Sequence, residues 1–210
     1  MNSQRRDFDK EAASWDEHPA RVKLAEDVAS AIAQQVTLRR EMDVLDFGCG
    51  TGLVTLKLAS LVKSITGVDS SQGMLDVLKK KAHKQGRTNV LIRHLSPGHS
   101  LPGLYDVIVS NMTFHHVEHI DALLAQLFQA VKTPGYLCVA DLDSDQGEFH
   151  DDNTGVFHFG FERATLHQAL VQTGFLQVKD VTATEIMKPT RNGGLRKFSV
   201  FMMIGEKIAK

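Results

Sequence analysis

The sequence predicts an α/β fold: one domain with a seven-stranded, mostly parallel sheet that ends in an antiparallel hairpin, with helices on both faces. Three features carry that expectation. Apolar runs of strand length alternate with helical periodicities from Met42 to about residue 175, the pattern of βαβ units. The first run passes into a helix through Gly48-Cys49-Gly50-Thr51-Gly52. The last two runs are joined by a loop around Gly193-Gly194 that is too short for a crossover helix, so they must pair antiparallel.

Each element has its own signal. Met42 to Phe47 reads as the first strand, Leu53 to Leu61 as a mostly apolar helix, and Ile65 to Asp69 as the second strand. Ser70 or Ser71 is placed to cap the next helix, on which Met74, Val77, Leu78 and Ala82 share one face. Asn89 to Leu95 and Tyr105 to Ser110 make the third and fourth strands, separated by a turn-rich stretch with Pro97, Gly98, Pro102 and Gly103. Ile120, Leu123, Leu124, Leu127 and Val131 mark an amphipathic helix, which Pro134-Gly135 is expected to stop. Tyr136 to Leu142 follows as the fifth strand and Thr165 to Thr173 as a helix halted by Gly174. Leu176 to Thr184 and Phe198 to Ile204 complete the sheet.

Size and composition narrow the function classes. A chain of 210 residues builds one sizeable core, and a net charge of −1 offers no strongly basic surface for nucleic acid. The run Lys79-Lys80-Lys81 with Lys84 ends a helix, where cations suit the macrodipole and a solvated face is expected. The first ten residues are polar and no apolar run reaches membrane-spanning length, so a cytoplasmic protein is expected. Cys49 and Cys138 form neither a disulfide framework nor a zinc spacing. Oligomeric state leaves no mark in the sequence.

The glycine loop narrows the ligand. A strand ending in an acid and turning sharply into a helix lies where open α/β sheets bind ligands, at the carboxyl edge. A pyrophosphate site needs G-x-G-x-x-G, whereas here the glycines fall at 48, 50 and 52, with Leu53 in the third fingerprint position. Asp69 ends the next strand about twenty residues on, placed to accept hydrogen bonds from both hydroxyls of an unphosphorylated ribose.

Asp46-x-Gly48-x-Gly50-x-Gly52 resembles the glycine motif of class I S-adenosylmethionine-dependent methyltransferases, and the likeness, to the small-molecule branch (methyltransferase type 11/12-like), runs from Phe8 to Ile204. It implies a Rossmann-like fold, S-adenosyl-L-methionine as cofactor and S-adenosyl-L-homocysteine as product. It also implies that residues 1–40 form a helical lid, 41–142 the cofactor core, 143–161 a substrate-side insertion, and 162–210 the closing helix and hairpin. Asp46 and the backbone of Gly48, Cys49 and Gly50 would meet the methionine part, Asp69 and Ser70 the ribose side, and Met74 the adenine. Asn111 would sit by the methionine moiety. The acid that many members carry after the third strand is missing: the sequence there reads His94-Leu95-Ser96, leaving the Ser96 hydroxyl, a main-chain carbonyl near Leu95 or a water to meet the adenine amine.

Methyl transfer asks mainly for alignment and desolvation, because the cofactor brings its own leaving group. In Asn111-Met112-Thr113-Phe114-His115-His116, His115 or His116 can accept a proton from a substrate hydroxyl or amine, or can simply cap the next helix. Substrate or lid contacts are expected from Phe8, Trp15, Phe114, His150, His158 and Phe159, with the Phe8 and Trp15 rings offered to the sulfonium through cation–π attraction. No metal site is expected, since the spacing of His150, Asp152 and His158 matches no compact ligand motif. The expected reaction is methyl transfer to oxygen, nitrogen or carbon of a small molecule. The alternatives are a catalytically silent binder of the same cofactor and, on a similar core, an NAD(P)-dependent oxidoreductase.

Overall fold

The computed structural model describes residues 6–189 and 194–209. Its sheet runs β3-β2-β1-β4-β5-β7-β6. The strands are β1 (Asp43–Phe47), β2 (Ser64–Asp69), β3 (Val90–His94), β4 (Tyr105–Asn111), β5 (Val131–Leu142), β6 (Leu176–Pro189) and β7 (Leu195–Lys207). β1 to β5 pair parallel, and β7 runs antiparallel to both β5 and β6. The expected hairpin is therefore present, although its turn at Gly193 lies outside the described residues.

Alternation along each central strand divides the core into two layers. Val44, Val107, Val109 and Cys138 face one side, with α2 (Pro19–Gln35) and α3 (Leu53–Leu58) over them. Leu45, Ile108, Leu137 and Val139 face the other, beneath α5 (Ile120–Ala130) and α6 (Arg163–Thr173). Between these helices in sequence, α4 (Gln72–Lys84) packs Leu75, Leu78 and Ala82 against Cys49 and Leu56. Ahead of them, the short α1 (Phe8–Glu11) and a 3-10 helix (Ala12–Glu17) cross the glycine-loop side of the sheet. No helix among the described residues is long and apolar enough to cross a membrane.

Several boundaries differ from expectation: β6 runs on to Pro189 instead of Thr184, β7 spans Leu195–Lys207 instead of Phe198 to Ile204, and α6 starts at Arg163 instead of Thr165. α3 stops at Leu58, three residues early. Pro134-Gly135 does not end α5. That helix ends at Ala130, β5 begins at Val131, and the pair lies inside β5 where its register with β4 slips between Tyr105 and Val107. An irregular ladder can spare the N–H that proline lacks.

Candidate active site

Where β1 ends, the chain turns through Gly48, Gly50 and Gly52 at φ +72°, +52° and +80°, a region glycine enters without strain. A side chain at Gly48 would strike Thr113, and one at Gly52 would strike Leu78. A Cβ at Gly50 would meet nothing within 4 Å, so this residue presents bare backbone to open space. The loop's donors are used internally. Gly48 and Cys49 N–H both donate to Val68 O, Gly52 N–H to Cys49 O, and Gly50 N–H to the Asp69 carboxylate at 2.8 Å. A loop that spends these N–H groups on itself cannot cradle a pyrophosphate with them, which agrees with the glycine spacing.

The two acids behave differently. Asp46 is 1% exposed and accepts a 2.5 Å hydrogen bond from Thr55 Oγ1; burial pushes its carboxyl up to about 7. Asp69 is also raised by burial, although Ser71 and Gly50 N–H groups bind its two oxygens. Ser71, not Ser70, caps α4 by accepting from Met74 N–H. Met74 itself is 2% exposed. At the end of β3, Leu95 N–H donates to Asp69 O and the His94 ring to Ser70 O, tying that strand end to the end of β2.

Asn111 lies one position beyond the Phe47–Ser110 pair, level with the glycine loop. Its Oδ1 is buried and meets no hydrogen-bond donor among the described residues, an arrangement that costs free energy unless a ligand supplies the donor. The next residue, Met112, holds a left-handed φ of +54°, a conformation that non-glycine residues adopt mostly where surrounding contacts impose it.

The N-terminal segment that the sequence leads one to expect as a lid is clamped from both ends. Asp9 accepts from Ser71 Oγ at 2.6 Å and Gly73 N–H at 2.7 Å, while Asp16 accepts from Thr51 Oγ1 at 2.6 Å and Lys81 Nζ at 2.5 Å. Lys81 also donates to Thr51 O, so one member of the basic run ties lid to loop instead of lying on a solvated face. The Phe8 and Trp15 rings each face an arginine of this chain. The Arg21 guanidinium covers Trp15 at 3.8 Å, and Arg6 faces Phe8 at 5.4 Å. Phe8 turns an edge to His116 at 5.1 Å, which joins the lid to the histidines.

His115 and His116 stand on a buried 3-10 turn (Phe114–His116) after β4. His115 is 1% exposed, and its Nδ1 lies 2.7 Å from the Asp141 carboxylate at the end of β5. Burial works against charge on Asp141, but His115 and the N–H groups of Leu142 and His115 outweigh it and keep the carboxyl low. His116 Nδ1 lies 2.7 Å from Gly155 O. Both partners can only accept, so both rings carry their proton on Nδ1 and, when neutral, turn a lone pair outward from Nε2. Burial, then the neighbouring His115, drives His116 down to about 4.

The insertion wraps this pair. Phe157 and His158 N–H donate to His115 O, and Asp145 folds the segment by accepting from Gly147 and Phe149 N–H. His150 thereby arrives with its ring 5.0 Å from His115 and 5.9 Å from His116. Three of the expected substrate contacts go elsewhere. Phe114 is 0% exposed and packs in the α5–α6 core layer; His158 donates to Val117 O beside Phe161; Phe159 is 48% exposed, with no ring contact to the histidines among the described residues. The sequence could not signal Asp141, since an acid at a strand end has many uses.

Comparison with known proteins agrees with this geometry. A family profile described as a methyltransferase domain matches residues 18–178. An uncharacterized methyltransferase of Schizosaccharomyces pombe is 33% identical over 57% of this chain and 48% of its own length. A malonyl-[acyl-carrier protein] O-methyltransferase of Bacillus cytotoxicus is 28% identical over 75% of this chain and 53% of its own length. The chain thus spans about half the length of the curated relatives it matches. The solved structure of phosphoethanolamine N-methyltransferase 2 from Haemonchus contortus in complex with S-adenosyl-L-methionine shares the fold. Its TM-score is 0.70 at 14% identity, over 96% of this chain and 60% of that one. With the glycine loop, the strand order and the antiparallel final strand all in place, the chain belongs to the methyltransferase domain family.

Proposed function

We propose that this chain transfers the methyl group of S-adenosylmethionine to an oxygen, nitrogen or carbon nucleophile of a small molecule. The observation that carries the reading is the buried, donorless Asn111 Oδ1 at the end of β4, level with a glycine loop whose Gly50 face is open. When bound, the cofactor supplies an activated methyl and its own leaving group.

The chain's residues divide the remaining work. Asn111 and Asp46 take the methionine end, where an ammonium donor relieves the orphaned oxygen and favours an ionised Asp46. Asp69, fixed by Gly50 and Ser71 N–H, accepts from the ribose, and the Ser70, Leu95 and Ser96 rim borders the adenine, with the buried Met74 packed behind it. The clamped lid excludes water from the reacting atoms, and the Nε2 lone pairs of His115 and His116 accept hydrogen bonds that orient the nucleophile.

Calorimetric titration with S-adenosylhomocysteine, followed by transfer from labelled cofactor into a metabolite extract, tests the reading. One equivalent of bound product and a labelled small molecule are expected. Absence of binding, with NADH instead raising the melting temperature, would assign the fold to a different cofactor. Tight binding with no labelled acceptor would favour a silent binder.

A further inference from the structure

We propose that His115, His116 and His150 bind a divalent cation of the zinc class, through an all-imidazole site at the acceptor end of the domain. One ligand atom from each residue lies within 4.8 Å of the other two. A tetrahedral ion at Zn–N distances of about 2.0–2.1 Å holds its nitrogens roughly 3.4 Å apart, so closing the site takes ring shifts of about an ångström. His150 sits on the insertion and not on a helix or strand.

The outer contacts are those of metal-binding histidines. Such rings usually donate their second nitrogen to a carboxylate or a backbone carbonyl, which fixes the tautomer and aims the free lone pair. His115 does this with Asp141 and His116 with Gly155 O. His115 Nε2 is then a buried acceptor with no donor among the described residues. Neighbouring lone pairs repel one another unless a proton or a cation comes between them. Asp141 supplies an anion behind His115.

Imidazole donors suit zinc and its neighbours, and three of them leave one tetrahedral position open, the arrangement of catalytic sites. In the loaded protein the heteroatom of a small acceptor binds that position in place of its hydrogen bond to the imidazoles. This consequence rests on the methyl-transfer reading, whereas the cation site does not. It also departs from the sequence expectation of no metal, which looked to His150, Asp152 and His158. Asp152 instead caps Thr154, and His158 serves Val117.

The test titrates chelator-stripped protein with Co²⁺ alone, followed by visible d–d absorption, and with Zn²⁺ alone by calorimetry. One equivalent is expected, with affinity falling at least about tenfold in His150→Ala and about 10–100-fold in Asp141→Asn. His83→Ala, on the exposed side of α4, is expected to bind as wild type. Binding of S-adenosylhomocysteine, measured on the same samples, reports separately on the cofactor reading and shows that each variant is folded. No saturable one-to-one binding of either ion overturns the proposal, as does binding that His150→Ala and His116→Ala both leave unchanged.

Discussion

The two ends of the proposed site, one for the cofactor and one for the acceptor, are built in opposite ways. At the cofactor end, Asp46, Gly48, Gly50 and Asp69 come from one strand–turn–helix–strand unit, and their main contacts stay within it: Gly50 N–H to Asp69, Asp46 to Thr55. At the acceptor end, His115 and His116 follow β4, Asp141 ends β5, and His150 and Gly155 belong to the insertion. The first arrangement is local and rigid. The second exists only after distant segments have docked, so it can vary while the cofactor end stays fixed.

If the two ends are separable, variants should split rate from cofactor affinity. The largest effect is expected from His115→Gln, which removes the buried ring and its Asp141 contact. Single-turnover methyl transfer should fall by about 10²–10⁴-fold, while calorimetry with S-adenosylhomocysteine shows an unchanged Kd. A parallel loss of affinity would mean that the ends are one unit.

Smaller effects should come from the lid. Asp9 and Asp16 each hold two donors from the glycine-loop side. Charge-assisted bonds at partly exposed positions contribute about 1 kcal/mol or less each after screening, so Asp9→Ala with Asp16→Ala should weaken cofactor binding by roughly tenfold. Trp15→Ala should do less, since its ring face is already covered by Arg21.

The cofactor end should also carry its own pH signature. Asp46 titrates near 7 in the fold against an ordinary value of 3.8, because burial disfavours the carboxylate. The folded chain therefore keeps a proton that the unfolded chain has already released. This contribution to stability is complete below about pH 4 and is lost as pH rises through about 7. Thermal melts of cofactor-free protein should show Asp46→Asn gaining on wild type across that window. Equal pH dependence in both proteins would mean that Asp46 is ionised throughout.

What could be read from the sequence follows the same division. The succession of strands and helices, the final hairpin and the glycine loop rest on local periodicity and spacing, and the fold preserves them. Ser71 as the α4 cap was within one residue of ambiguity. Pro134 misled because a helix and a strand join without a loop there, and proline fits the irregular start of β5 as well as it would a helix end. The histidine cluster was half visible. His115 and His116 are adjacent, but the arrival of His150 depends on Phe157 and His158 N–H groups pinning the insertion to His115 O, a backbone contact that no residue pattern encodes. Phe114 shows the converse. Beside two site residues, it still points into the core.

The central claim is that the glycine loop and Asp69 hold S-adenosylmethionine. Calorimetric titration of S-adenosylhomocysteine into wild type and Asp69→Ala tests it most directly. Two hydrogen bonds to a charged acceptor are worth about 1.5–3 kcal/mol each, so wild type should bind one equivalent and Asp69→Ala should bind about 100-fold more weakly or worse. Equal affinity in the two proteins, or no binding by either, would contradict the account.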